Sequence, residues 1–127
     1  MTTRFNATNG LIVVNVRLNG PASETYARMA LDTGATTCTL NAAKFLLIGY
    51  DPSILAARVR MTTGSNVEYA PLVVVKTVTA LGLAMNDVDV ICHTLPPSAT
   101  VDGLLGLNFL RGRKLTVDFV QGAIELV

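Results

Sequence analysis

The stretch Ala30-Leu31-Asp32-Thr33-Gly34-Ala35-Thr36-Thr37 decides how the rest of the chain is read. An apolar run delivers an aspartate, and a Thr-Gly pair follows at once. Aspartate is poor in strands and costly in a core unless it is paired or hydrogen-bonded. Asp32 is therefore either a turn residue capping nearby N–H groups or a carboxylate held in place for chemistry. A triplet this short does not choose between the two, so its neighbours must.

Upstream, Leu11 to Leu18 alternates, with Ile12, Val14, Val16 and Leu18 set against Asn15 and Arg17, as a half-buried strand does. Asn19-Gly20-Pro21 is a turn, and a second strand over Glu24 to Leu31 returns and delivers Asp32. Met1 to Gly10 is polar and unpatterned, and reads as a mobile N-terminal arm or an edge strand ahead of a domain at 11–127. Downstream, Thr36 to Leu40 predicts a short strand. Asn41 is a fitting N-cap for a short helix through Phe45 and Ile48, with Gly49 as its stop.

Alternation resumes at Val59, and Gly64-Ser65-Asn66 makes a turn before Val67 to Tyr69 starts back, which gives a hairpin with a small polar tip. Pro71 has to sit at an edge or a bulge, because it brings no N–H to a ladder. Leu72 to Thr79 and the run of Val88, Val90 and Cys92 continue the sheet, with Gly82 at a turn. Val101 to Leu110 is apolar with two glycines and predicts a short helix from Leu107 to Arg111. Leu115, Val117 and Phe119 alternate in a strand, and Ile124 and Leu126 in the last one. Short strands with close turns and no βαβ rhythm argue an all-β fold, a small closed barrel or a sandwich with one or two short helices.

Composition narrows the functional classes. At 127 residues the chain is one domain with room for a real core. Half of it is apolar and 15% is charged, which is not the balance of a disordered chain. Net charge is +1 with no basic run, so binding nucleic acid through phosphate neutralisation has no footing. Lys76, Thr77 and Thr79 interrupt the best apolar run well short of the ~18 residues that span a bilayer. No signal peptide is visible, and the chain could still be a piece of a longer, anchored protein. The two cysteines form no Cys-x-x-Cys pair; a Cys38–Cys92 bridge stays open, and two free buried thiols are the preferred reading. One histidine and scattered carboxylates make a poor metal site, so neither metal nor cofactor is expected. His93 beside Cys92 does not make a nucleophile pair, because adjacent strand residues point to opposite faces. Arg111, Arg113 and Lys114 read as a solvated edge.

With these parts in order, the chain resembles the retropepsin-like aspartic proteases, most closely their bacterial members. The resemblance rests on Leu31-Asp32-Thr33-Gly34-Ala35, on a flap-like hairpin around Thr63-Gly64-Ser65, and on Leu104-Leu105-Gly106 followed by Leu107-Asn108-Phe109-Leu110. It covers about Leu11 to Val127 in element order. It implies a single-lobe acid-protease barrel, a homodimer, a peptide or protein substrate and peptide-bond hydrolysis. That chemistry needs two carboxylates about 3 Å apart sharing one proton. One acts as general base on a water while its protonated partner polarises the carbonyl.

This chain offers one such carboxylate. Asp102-Gly103-Leu104 is not a second Asp-Ser/Thr-Gly and reads as a turn before the Leu-Leu-Gly strand. A single chain carrying both lobes needs roughly twice this length, so Asp32 is expected to face its own copy across a two-fold axis.

The remaining roles are carried by position. Thr33 would bond across the interface, Gly34 would let backbone pack beside the carboxylate, and Ala35 leaves that carboxylate one donor fewer, which favours weakly acidic pH. Met61, Thr63, Gly64 and Ser65 would belong to the flap, and Leu104, Leu105 and Gly106 would be structural. Two rivals remain: a non-catalytic binding or dimerisation module on the same fold, and a protease that processes only its own precursor. No membrane contact is expected of this segment itself. The compartment stays open, periplasmic or membrane-tethered settings included.

Overall fold

A computed structural model of the chain describes residues 1–54, 58–64, 66–96 and 98–127, and for residues 61–63 the backbone only. The elements run β1 (Thr2–Arg4), β2 (Val13–Asn19), β3 (Glu24–Leu31), β4 (Cys38–Leu40), α1 (Ala42–Leu47), β5 (Arg58–Thr63) and β6 (Asn66–Ala80). After them come β7 (Leu83–Cys92), β8 (Gly103–Leu105), α2 (Leu107–Leu110), β9 (Leu115–Asp118) and β10 (Ala123–Leu126). The strand order β2-β3-β8-β4-β7-β6 closes on itself through a β2–β6 pairing. The result is a six-stranded barrel with no free edge of its own. β5 hangs outside it, paired only to β6. A small second sheet, in the order β1-β10-β9, includes Thr2–Arg4 as an edge strand, one of the two readings open for the first ten residues.

The alternation read from sequence becomes the barrel wall. Val14, Val16 and Leu18 of β2 point inward with Ala27 and Met29 of β3, while Asn15, Arg17 and Arg28 face water. Helix α1 starts where Asn41 accepts the Lys44 N–H at 3.0 Å, which supplies a partner for one of the orphan donors of a helix start. It ends before Gly49, and it sends Phe45 into the core. Helix α2 does the same with Phe109. Each of these fully buried side chains contributes about 2 kcal/mol of transfer free energy.

Several boundaries differ from the periodicity, among them the end of α2 at Leu110, with Arg111 as its C-cap. β2 begins at Val13, leaving Leu11 exposed, and β4 begins at Cys38, because Thr36 and Thr37 belong to the loop after Asp32. β9 stops at Asp118, whose carboxylate oxygen Oδ1 accepts the N–H groups of Val120 and Gln121 and turns the chain outward. Phe119 is consequently exposed, its ring edge-on to that of Phe5 at 6.0 Å. Pro71 stands at an edge. Strand β6 runs through it unbroken, but β6 meets β5 up to Pro71 and β7 only from Leu72 onward.

The pairing that positions the site is β3 against β8, a parallel match of Met29 with Gly103, Ala30 with Leu104 and Leu31 with Leu105. β8 in turn lies against β4. A side chain at Gly103 would overlap the Thr39 carbonyl, so this crossing of β4 and β8 requires glycine.

Candidate active site

At the end of β3 the chain leaves the core. Met29 and Ala30 are buried, Leu31 and Asp32 half-buried, Thr33 and Gly34 exposed. The Asp32 backbone is held on both sides: its N–H donates to the Leu105 carbonyl at 3.0 Å, and its carbonyl accepts the Ala35 N–H at 3.2 Å. The side chain turns back on the loop, where Oδ1 accepts the Gly34 N–H at 2.8 Å. Among the described residues Oδ2 has no hydrogen-bond partner. One lone-pair-bearing oxygen is thus fixed and the other left open.

The loop after Asp32 is fastened by Leu104-Leu105-Gly106. The Ala35 carbonyl accepts the Leu107 N–H at 2.8 Å. A Cβ on Gly106 would stand 2.8 Å from that same carbonyl oxygen and 2.9 Å from the Thr37 carbonyl carbon, so only glycine allows the approach. Leu105 is fully buried, while Leu104 faces the surface beside Asp32. Behind the loop a short relay continues. The Gly106 N–H donates to the Cys38 thiol at 3.3 Å, the Cys38 N–H to Asn108 Oδ1 at 2.9 Å, and the Asn108 amide to the Asp89 carbonyl at 2.8 Å. Burial pushes the Cys38 thiol up, although the N–H groups of Gly106 and Phe109 pull the other way. Burial also raises Cys92. Both are free, neutral thiols that pack, and neither is an activated nucleophile.

A groove of about 530 Å³ opens over Asp32, Gly34, Ala35 and Leu104. Its remaining walls are Thr36, Thr37 and Thr39, with Ile91 of β7 and Val59 and Arg60 of β5. Sequence reasoning assigned none of these six to the site. Alternation separates Val59 from Arg60 by face, yet both border the groove, and the pairing of β4 with β7 that brings Ile91 there leaves no local trace.

The expected hairpin forms, with Thr63 opposite Asn66 and Met61 opposite Glu68. Gly64 takes φ +56 at an exposed tip, and it is not one of the residues on the groove. Ser65 lies outside the described residues. Thr33 is exposed and lines no part of the groove.

Asp102, of Asp102-Gly103-Leu104, lies at the opposite end of the same strand pair. Asp102 Oδ2 accepts the Arg28 N–H at 2.8 Å, and Oδ1 accepts the Asn41 side-chain amide at 3.4 Å. Its backbone N–H and carbonyl engage Arg28 and Asn41 at 2.7 and 2.9 Å. Asp102 latches β3 to β8 and sits away from the groove.

This arrangement has known counterparts. Residues 14–109 match the family model described as aspartyl protease, which is most of the chain. The chain belongs to the aspartyl protease family. A retropepsin-like aspartic protease from Rickettsia conorii has the same fold, with a TM-score of 0.75 over 99% of this chain and 88% of that one. At 18% identity that likeness concerns the fold. Among curated proteins none matches the sequence. Like the Rickettsia protein, this aspartyl protease family member is an all-β, single-lobe, retropepsin-like barrel. None of its described helices is long and apolar enough to cross a membrane, and its described residues hold no group of three or more His, Cys, Asp or Glu placed to bind a metal.

Proposed function

We propose that the protein is an aspartic endopeptidase in which two copies of Asp32, paired across a homodimer, activate the water that hydrolyses a peptide bond. The observation that carries this reading is the state of the Asp32 carboxylate. One oxygen is oriented by Gly34, the other is unpartnered, and both lie in an open groove. A single such carboxylate cannot be general base and proton-donating electrophile at once. Among the described residues the groove lining includes no second one, so on this reading the partner comes from another copy.

Each side chain then has a role in one reaction. The ionised Asp32 of the pair takes a proton from water as its oxygen attacks the scissile carbonyl. The protonated Asp32 hydrogen-bonds the carbonyl oxygen and gives up its proton as the tetrahedral intermediate forms. On collapse the C–N bond breaks, and the Asp32 that took the water's proton gives it to the leaving amine. The other Asp32 takes a proton from a hydroxyl of the intermediate as the acid carbonyl forms, and the dyad is back to one shared proton. Thr33, exposed beside Asp32, steadies the two loops against each other. Gly34 and Ala35 keep the floor of the groove low enough for a peptide backbone. Leu104, Leu105 and Gly106 hold that floor in place. The hairpin bearing Met61, Thr63, Gly64 and Ser65 acts as the flap that closes on substrate and excludes water.

The deciding experiment compares wild type with Asp32→Asn on a peptide library from pH 3 to pH 8, with the oligomeric state measured beside it by sedimentation. Cleavage by a wild-type dimer and none by the variant is the expected result. Equal cleavage by both would end the proposal, and cleavage by a strict monomer would refute the shared dyad. A folded dimer that cleaves nothing would favour the binding module.

A further inference from the structure

Among the described residues the groove over Asp32 carries one cationic side chain. Arg60, exposed on β5, stands on a wall separate from the loop that holds Asp32, and Thr36, Thr37 and Thr39 share the lining, the last with its hydroxyl accepting the Leu104 N–H. Among the described residues the only carboxylate on the lining is Asp32 itself. Glu68, on the neighbouring strand, pairs with Met61, whereas Arg60 pairs with Tyr69. Period two therefore sends Glu68 to the other face of the hairpin. The one ion pair among the described residues, Arg17 with Glu24, lies elsewhere.

We propose that Arg60 sets specificity: the groove prefers peptides carrying an aspartate or glutamate side chain beside the scissile bond. The inference rests on the groove being the peptide site of the endopeptidase. A guanidinium presents a planar fork of donors that a carboxylate can accept from two at a time. A lysine in the same place meets a like charge, and a glutamine makes only the weaker neutral bond. The chain as a whole carries a net charge of +1, too little to draw acidic peptides through its overall field. The preference therefore hangs on this one residue. Because Arg60 is exposed, salt screens the attraction, and the discrimination is several-fold in size.

The test uses matched peptides that differ only in Glu, Gln or Lys at each position flanking the scissile bond. Cleavage is measured as kcat/KM for wild type, Arg60→Gln and Arg60→Glu. Binding of the same peptides to Asp32→Asn, alone and combined with each Arg60 change, is followed by fluorescence anisotropy. Wild type should favour Glu over Gln by about threefold to tenfold at low salt. Arg60→Gln should erase that preference, and Arg60→Glu should turn it towards Lys. A glutamate preference that survives Arg60→Gln overturns the assignment, as does its absence from wild type. If wild type cleaves nothing, the turnover reading fails by itself, and the anisotropy series then decides Arg60. Discrimination that vanishes with Arg60→Gln upholds the inference, while uniform binding or none overturns it.

Discussion

Two aspartates bracket one pair of parallel strands, and they are treated oppositely. Asp102 stands where β8 begins, its carboxylate shared between the Arg28 N–H and the Asn41 amide. Asp32 stands where β3 ends, with one oxygen held by its own loop and the other facing an open groove. A carboxylate whose acceptors are filled by the protein is a fastener. One left half-filled at a fixed backbone position can still accept a proton or a water. Both have a glycine within two residues, Asp32 in Asp-Thr-Gly and Asp102 in Asp-Gly, and the larger difference lies in what the fold brings to each oxygen.

The sharpest break of this comparison is to remove the charge at each end in turn. Asp32→Asn should lower kcat/KM by about a thousandfold or more, with a thermal midpoint close to wild type. Peptide cleavage and calorimetry on the same preparation check both parts. Gly103→Ala attacks the strand crossing beside Asp102, where a methyl would overlap the Thr39 carbonyl. It should cost about 3 kcal/mol of stability, read by denaturant unfolding. Gly34→Ala, whose Cβ would stand 3.1 Å from Asp32 Oδ1, should leave folding nearly intact and damage turnover instead.

Asp102→Ala orphans the Arg28 N–H and should cost about 1–3 kcal/mol, while kcat per folded molecule stays within a few-fold of wild type. If it abolishes cleavage with stability unchanged, the contrast between the two aspartates collapses.

The smallest effect concerns the thiol behind the Asp32 loop. Burial raises Cys38 above its ordinary value of 9.0, so the fold keeps the thiol neutral where the unfolded chain ionises it. The sign follows: this contribution is complete below the ordinary thiol value and is lost as pH rises through the raised one. Thermal midpoints between pH 8 and pH 10.5 should therefore fall less for Cys38→Ala than for wild type. Native Cys38 should also resist a thiol reagent until the chain unfolds.

Much of this was legible from residues alone, and the reason is locality. The Glu24–Leu31 strand, the Asn41 cap and the placing of Asp32 at a strand end all follow from periodicity and turn chemistry within a few residues. Alternation also gave the inward face of β2. What it could not give was any partner distant in sequence: the parallel match of Met29 with Gly103, the arrival of Ile91 and Arg60 at the groove, or the Asp102 latch. Asp102 was readable as a turn residue, but nothing near it names Arg28 or Asn41. The end of β9 was misjudged by one position because Phe119 continues the apolar alternation, whereas the Asp118 carboxylate closes a turn there.

The parallel seam between β3 and β8 also has a consequence in time. Arg28 and Asp102 are separated by 74 residues, and the Asp32 loop is braced by Gly106 and Leu107 just beyond that seam. Strand β8 is the last of the six barrel strands to be synthesised. Long-range pairings of this kind form late and slowly. A nascent chain that has already made Asp32 therefore carries it on an unbraced loop until residues 103–107 arrive. The order of synthesis keeps the carboxylate geometry unformed until the barrel is nearly whole.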